Sequence, residues 1–325
     1  MRPAFALAFW LAAAGAAQAF DPNSPIFQAP TSREVGPDAP LKPKPGDPPG
    51  DLAFGAYQRG FYIAALREAE KRLAANPRDG AAMTLIGEIY HDGLAVKRDD
   101  EEAARWWRLA ALHGDLAGAY EYGVALLSGA GVAQNKAAAR EQFVAAAVKG
   151  HLGALYNLGV LALEGVDGKP DYSAAAGFFR RAAEAGDGNS AYSYGVLVRE
   201  GKGAPLDTDE AAKWLKLASD DGIIAGQVEY AIMLFNGVGV DKDEAGAAKI
   251  FRLAAARRNP IAQNRLAHLS LSGRGVPKDV VRAALWAGLS RAAGLKDDKL
   301  DAAIGPLTQE QIKQVNDLAR QEAEF

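Results

Sequence analysis

Along most of the chain, runs of about a dozen residues with helical spacing of apolar positions alternate with short breaks rich in glycine. The stretch LFNGVGVDKDEAGAAKIFRLAAA, Leu234 to Ala256, shows the form: an apolar run, a Gly-x-Gly break, an acidic start and a second amphipathic run. The same register returns in ALLSGAGVAQNKAAAREQFVAAA and in LSLSGRGVPKDVVRAALWAGLSRAA. Each unit therefore predicts helix, tight loop, helix and turn.

The register is periodic. Gly87, Gly123, Gly159 and Gly195 stand 36 residues apart, and Ala231 and Ala267 continue the column. Gly93, Gly129, Gly165, Gly201, Gly237 and Gly273 form a second column. A third column, Asp99, Asn135, Asp171, Asp207, Asp243 and Asp279, is suited to accept the free N–H groups at the start of each second helix. Ala103, Ala139, Ala175, Ala211, Ala247 and Ala283 follow, with Ala110, Ala146, Ala182, Ala218 and Ala254 seven residues later on the same stripe, where small side chains let helices approach. Large residues such as Trp107, Phe143, Phe179, Trp214, Phe251 and Trp286 are the expected core. Units that cannot bury an apolar face alone must stack, so the expected fold is all-α, a right-handed α/α solenoid of helix-turn-helix repeats.

The glycine pairs invite a second reading, a phosphate cradle. A dinucleotide fingerprint needs a third glycine three residues on, but Gln134, Leu206, Lys242 and Lys278 stand there and no strand pattern precedes the loop. The glycines read instead as a helix stop and a fold-back, with Asp167 replacing the second one in the third unit and predicting a different loop there.

On these columns the chain resembles the Sel-one-like repeat family, relatives of the tetratricopeptide repeats with a 36-residue unit. The segment ALYNLGVLALEGVDGKPDYSAAAGFFRRAAEAGD, Ala154 to Asp187, resembles the family pattern nearly position by position. The resemblance covers 80–294 as six repeats; 51–79 is similar to a shorter tetratricopeptide-type unit that would cap the N-terminal end, and 295–325 would supply capping helices. Thr308 and Gln311 have capping-box spacing at the start of the last helix.

The N-terminus MRPAFALAFWLAAAGAAQAF has one positive charge, an apolar run too short to span a bilayer and an Ala-x-Ala site, which predicts a signal peptide cleaved after Ala19 and a periplasmic product. Residues 20–50 carry nine of the sixteen prolines and are expected to form a disordered linker, with docking in an aromatic groove as the alternative.

Composition narrows the chemistry. A net charge of −3 argues against a nucleic-acid binder, and the absence of cysteine removes disulfides, thiolate metal sites and a cysteine nucleophile. Some cysteine-rich members of the family hydrolyse β-lactams, but the four histidines here form no metal-binding pair, and neither a Gly-x-Ser-x-Gly nor a Ser-x-x-Lys motif is present. No catalytic residue, cofactor or metal is therefore expected. The resemblance implies an adaptor that holds a protein or peptide on the side lined by first helices.

Taking the residues two before and five after the first glycine column gives Glu121 and Ser128, Asn157 and Glu164, Ser193 and Glu200, Glu229 and Asn236, Arg265 and Ser272. Four glutamates against one arginine predict an acidic surface for a basic partner. Tyr120, Tyr156 and Tyr192 add a ladder that serves either packing or contact. The functional expectation is a non-enzymatic periplasmic scaffold, in one reading regulating an envelope signalling protein. Peptidoglycan binding or hydrolysis, and capture of a host protein after secretion, are the alternatives.

Overall fold

The computed structural model describes residues 51–165 and 168–323. The expected signal peptide, the proline-rich linker and Asp167 lie outside them. The described residues form two compact units, one ending at Pro170 and one beginning at Asp171. Sixteen α-helices and no β-strand are present among the described residues, and the architecture is an α-solenoid of helix pairs.

The first unit begins with a pair, α1 (Leu52–Gln58) and α2 (Tyr62–Ala75), followed by α3 (Gly80–Asp92), α4 (Asp100–Leu112), α5 (Leu116–Ser128), α6 (Lys136–Val148) and α7 (Leu152–Glu164). Ala53, Ala56, Ala65 and Ala69 of the first pair pack on Ala82, Leu85, Ile86 and Ile89 of α3. The second unit comprises α8 (Tyr172–Glu184), α9 (Gly188–Glu200), α10 (Thr208–Asp220), α11 (Ile224–Asn236), α12 (Glu244–Ala256), α13 (Pro260–Ser272), α14 (Val280–Ala292), α15 (Asp298–Ile304) and α16 (Gln309–Ala323).

Each sequence column does identifiable work. All six Asp or Asn residues of the third column cap a second helix, as when Asp99 Oδ1 accepts from Glu102 N at 3.0 Å and Asn135 Oδ1 from Ala138 N at 3.0 Å. Both alanine columns are fully buried. The first glycine column is a socket for the second helix of the same repeat: a Cβ on Gly87 would lie 2.5 Å from the Trp107 ring, and one on Gly123 would lie 2.7 Å from Phe143. In the sixth repeat Ala267 takes the glycine position, and the residue twenty places on, where Trp107 and Phe143 stand in their repeats, is the small Ala287.

The second loop glycine has a role beyond its left-handed φ. A Cβ on Gly131 would sit 1.8 Å from the carbonyl oxygen of Asp100, and equivalents on Gly239 and Gly275 would sit 2.0 Å from Thr208 O and 2.1 Å from Glu244 O. Each loop thus lies directly on the first turn of the second helix one repeat earlier. Ala95 occupies this position in the first repeat and keeps the left-handed φ of 65°.

The helix stop of the third repeat differs from its counterparts. Gly165 there has φ 69° with ψ 175°, an extended departure, whereas its counterparts such as Gly201, at φ 65° and ψ 30°, close the helix in the left-handed helical region. A further column escaped the sequence reading: Asp79, Asp115, His151, Asp187 and Asn259, at the same 36-residue spacing, cap the first helices through their side chains. Thr308 and Gln311 form the expected reciprocal capping box, at 2.9 and 3.2 Å.

Candidate partner-binding surface

The residues chosen from sequence divide by column. In the first unit, position five after the column glycine is exposed at Ser128 and Glu164; in the second it is exposed at Asn236 and Ser272 and partly open at Glu200. Position two before the glycine behaves differently. Asn157 and Ser193 are buried at 4% and 5% exposure, so neither offers its side chain to a partner. Glu121 and Glu229 are partly buried, and only Arg265 is exposed. The cause is helix rotation, which turns this position toward the neighbouring repeat: Arg199 of α9 reaches Glu229 of α11 at 2.5 Å.

The charge pattern also differs from the expected acidic stripe. Glu164 is paired with Lys136 at 2.7 Å, Glu200 with Lys202 at 2.7 Å, and Glu229 with Arg199. These pairs neutralise three of the four glutamates locally. Glu121 alone of the four has no cation among the described residues, and it is held up to about 7, first by burial and then by the charge of Asp92.

The tyrosine ladder packs between repeats. Tyr120 stacks on His151 with ring centres 4.4 Å apart and meets Phe143 at 5.9 Å. A Cβ on Gly153 would touch the Tyr120 ring at 2.9 Å, so glycine at that position lets α7 close on it. Tyr192 packs with Trp214 and Ile223 on a buried cluster of Ala183, Ala191 and Ala218. Tyr156 is partly buried.

Three residues that the sequence reading passed over gather at the N-terminal end. Glu88 is pushed up to about 8 by burial and then by Glu121, Asp92 and Asp115. Tyr57 of α1 donates from its hydroxyl to Asp92 Oδ2 at 3.2 Å, and burial followed by Glu88 and Asp92 raises its pKa well above the phenol range. A signal for Glu88 existed: in its column Val124, Val160, Val196 and Ile232 follow, so a carboxylate there departs from an apolar rule. His268 is the other departure, and it binds Asp297 at 2.9 Å beside Asn264 at 3.1 Å, fastening the segment that leads into α15.

The second helices carry cations of their own. Arg105, Arg108, Arg180, Lys213, Lys216, Lys249 and Arg252 are all exposed, and three of them close local pairs, with Glu102, Glu184 and Asp220. Among the described residues no cluster of three or more histidine or acidic side chains is placed to hold a metal ion, and no helix is long and apolar enough to cross a membrane.

Comparison with known proteins agrees with this geometry. The Sel1 repeat model matches at residues 80–115, 116–147, 153–187, 188–223, 224–259 and 260–295, well over half of the chain, and the chain belongs to the Sel1 repeat family. Proteins of this family generally mediate protein–protein interaction and are typically non-catalytic scaffolds. The chain is similar to the crystal structure of c5321, a protective antigen present in uropathogenic Escherichia coli strains displaying an SLR fold, with 27% identity and a TM-score of 0.69. That match covers 80% of this chain and 56% of the other, so the chain spans little more than half the length of that relative. The Sel1 repeat protein from Oxalobacter formigenes shares the fold at 24% identity and a TM-score of 0.62, over 76% of this chain and all of that one. Among curated proteins none matches the chain.

Proposed function

We propose that the protein is an exported, non-enzymatic scaffold that holds a protein partner on the exposed side of its first helices. The carrying observation is the division of labour within each repeat. The second helices give their small residues and aromatics to the core, and the loops are fixed by backbone contacts. The variable residues left open to contact are Ser128, Glu164, Asn236 and Ser272 at the ends of the first helices and Arg265 in the middle of α13. Function on a repeat scaffold resides in such grafted positions rather than in the fold.

Export rests on the N-terminal sequence: one arginine, a short apolar run and Ala17-Gln18-Ala19. With the glutamate stripe largely paired, recognition by a basic partner is confined to the N-terminal repeats, where Glu88 and Glu121 have no cation to pair with.

The test is a crosslinked pull-down of the mature protein from its own envelope, comparing two variant sets. Ser128, Asn236 and Ser272 changed to lysine should lose the partner captured by the wild type. Arg108, Lys213 and Arg252 changed to glutamine on the second helices should retain it. The reverse outcome places the interaction on the other face.

A further inference from the structure

A small cavity of about 150 Å³ opens beside the N-terminal helices of the first unit, lined by Asp51, Phe54, Arg72, Ala81, Thr84, Leu85, Glu88, Asp115 and Ala117. Its polar walls are almost entirely committed to one another. Asp51 accepts from Phe54 N at 2.9 Å and pairs with Arg72 at 2.8 Å, while the same guanidinium makes two bonds of 2.9 Å to Asp79. Thr84 Oγ1 donates to Asp115 Oδ2 at 2.7 Å, and Gly118 N donates to that same oxygen at 2.8 Å. Among the described residues nothing donates to Asp115 Oδ1 or to either oxygen of the Glu88 carboxyl.

Glu88 is partly buried, lines the cavity and receives no hydrogen bond or ion pair from the described residues. A carboxyl crowded by protein and by other acids, with no donor of its own, is raised in energy, whereas Asp51, Asp79 and Asp115 beside it are relieved by caps and cations. The remaining walls, Phe54, Leu85, Ala81 and Ala117, are apolar. A slot with an apolar wall and three unfilled oxygens matches a methylene stem ending in a compact cation with several donors, which is a lysine side chain rather than a planar guanidinium fork.

We propose that this cavity is the receptor for a primary ammonium group, the end of a lysine side chain on the protein partner, held by Glu88 and Asp115 Oδ1. The proposal rests on the scaffold reading above and names the chemistry of one anchor within it. Such an anchor is a desolvated, charged contact of the kind that concentrates binding energy in one place.

The cation must displace a proton. Around the Glu88 carboxyl stand Tyr57 from α1, Arg72 from α2, Asp51 before α1, Asp92 on its own helix, and Asp115 and Glu121 from the start and first half of α5. Of these only Arg72 is cationic, and Asp51 and Asp79 occupy it. In the free protein the carboxyl therefore keeps its proton near neutrality. The arriving ammonium binds the ionised form, so the proton leaves to solvent and affinity rises with pH up to the value of about 8.

The probe is n-butylammonium chloride, which stays protonated throughout, titrated into the whole mature protein with carbon-13 labelled glutamate. The Glu88 carboxyl resonance should shift saturably, its titration midpoint should fall by at least one pH unit at saturation, and affinity should rise at least tenfold between pH 6.5 and 8.5. Glu88→Gln, verified as folded by circular dichroism, should weaken binding at least tenfold, and Glu164→Gln should leave it unchanged.

No saturable shift, equal affinity at the two pH values, or unchanged binding in Glu88→Gln would overturn the proposal. Tighter binding of n-butylguanidinium or of calcium at the same resonance would also overturn it. These results are separable from the scaffold reading: amine binding can fail while the first-helix face still captures its partner, and it can succeed while capture maps to the second helices.

Discussion

Gly203 lies against the carbonyl oxygen of Tyr172 so closely that a Cβ on the glycine would be 1.9 Å from it. The contact joins the loop of the fourth repeat to the first turn of α8, and the left-handed φ of 72° at Gly203 adds a second reason for glycine. Backbone cannot move aside as a flexible side chain can. Gly203→Ala should therefore destabilise the second unit by about 2–4 kcal/mol, read as a lower denaturant midpoint. A midpoint within error of wild type would mean that the loop does not bear on the neighbouring helix.

The converse change should help. Ala95 holds the same left-handed conformation at an exposed position, so Ala95→Gly relieves a strained residue and should stabilise by about 0.5–1 kcal/mol. A loss of stability there would show that the Ala95 methyl group contributes packing that outweighs its backbone strain.

The two unpaired glutamates give stability a distinctive pH dependence. In the folded protein Glu88 and Glu121 sit at about 8 and about 7, above the ordinary value of 4.5, so the folded state holds protons that the unfolded chain has released. Their contribution is fully present below about pH 4.5 and is lost as pH rises through 7 to 8. Urea midpoints for Glu88→Gln should exceed wild type at pH 8.5 by the equivalent of about 1–3 kcal/mol, with the difference shrinking toward pH 5. A pH-independent difference between the two proteins would contradict the raised value at Glu88.

His151 works in the opposite direction. Its Nδ1 accepts from Ala154 N at 3.2 Å to cap α7, and burial lowers its pKa below the usual 6.5. The neutral ring is needed for that bond, so the contribution is present above about pH 6.5 and lost as pH falls. His151→Asn keeps a capping oxygen that does not titrate, so its loss of stability between pH 7.5 and pH 5 should be smaller by about 1 kcal/mol than that of wild type. Parallel profiles for the two proteins would rule out a protonation-sensitive cap.

Much of this architecture was legible because a solenoid writes each structural task once per period. The columns at Gly93, Asp99, Ala103 and Ala110 announced helix stop, cap and close approach before any coordinate was known. The inter-repeat purpose of Gly131, Gly203, Gly239 and Gly275 was not legible, since a left-handed turn explains glycine equally well and the opposing carbonyl lies in another repeat. The surface was harder still. Spacing placed Glu121 and Ser128 on one helical face, but it could not say how that face rotates against its neighbour, so Asn157 and Ser193 turned out buried and Glu229 paired. Glu88 was visible in principle as a carboxylate in a valine column; its meaning depends on Asp92, Asp115 and Tyr57, which converge only in three dimensions.

The central claim is that a protein partner is held on the exposed side of the first helices, and in-envelope photocrosslinking tests it most directly. A photoreactive residue placed in turn at Ser128, Asn236 and Ser272, and in turn at the exposed second-helix positions Leu112, Leu217 and Leu253, samples both faces of the repeats. The account predicts one and the same adduct from the first-helix positions, absent from the second-helix positions and diminished by Glu88→Gln for probes in the N-terminal repeats. An adduct formed only from Leu112, Leu217 and Leu253 would contradict it and move the binding surface to the second helices.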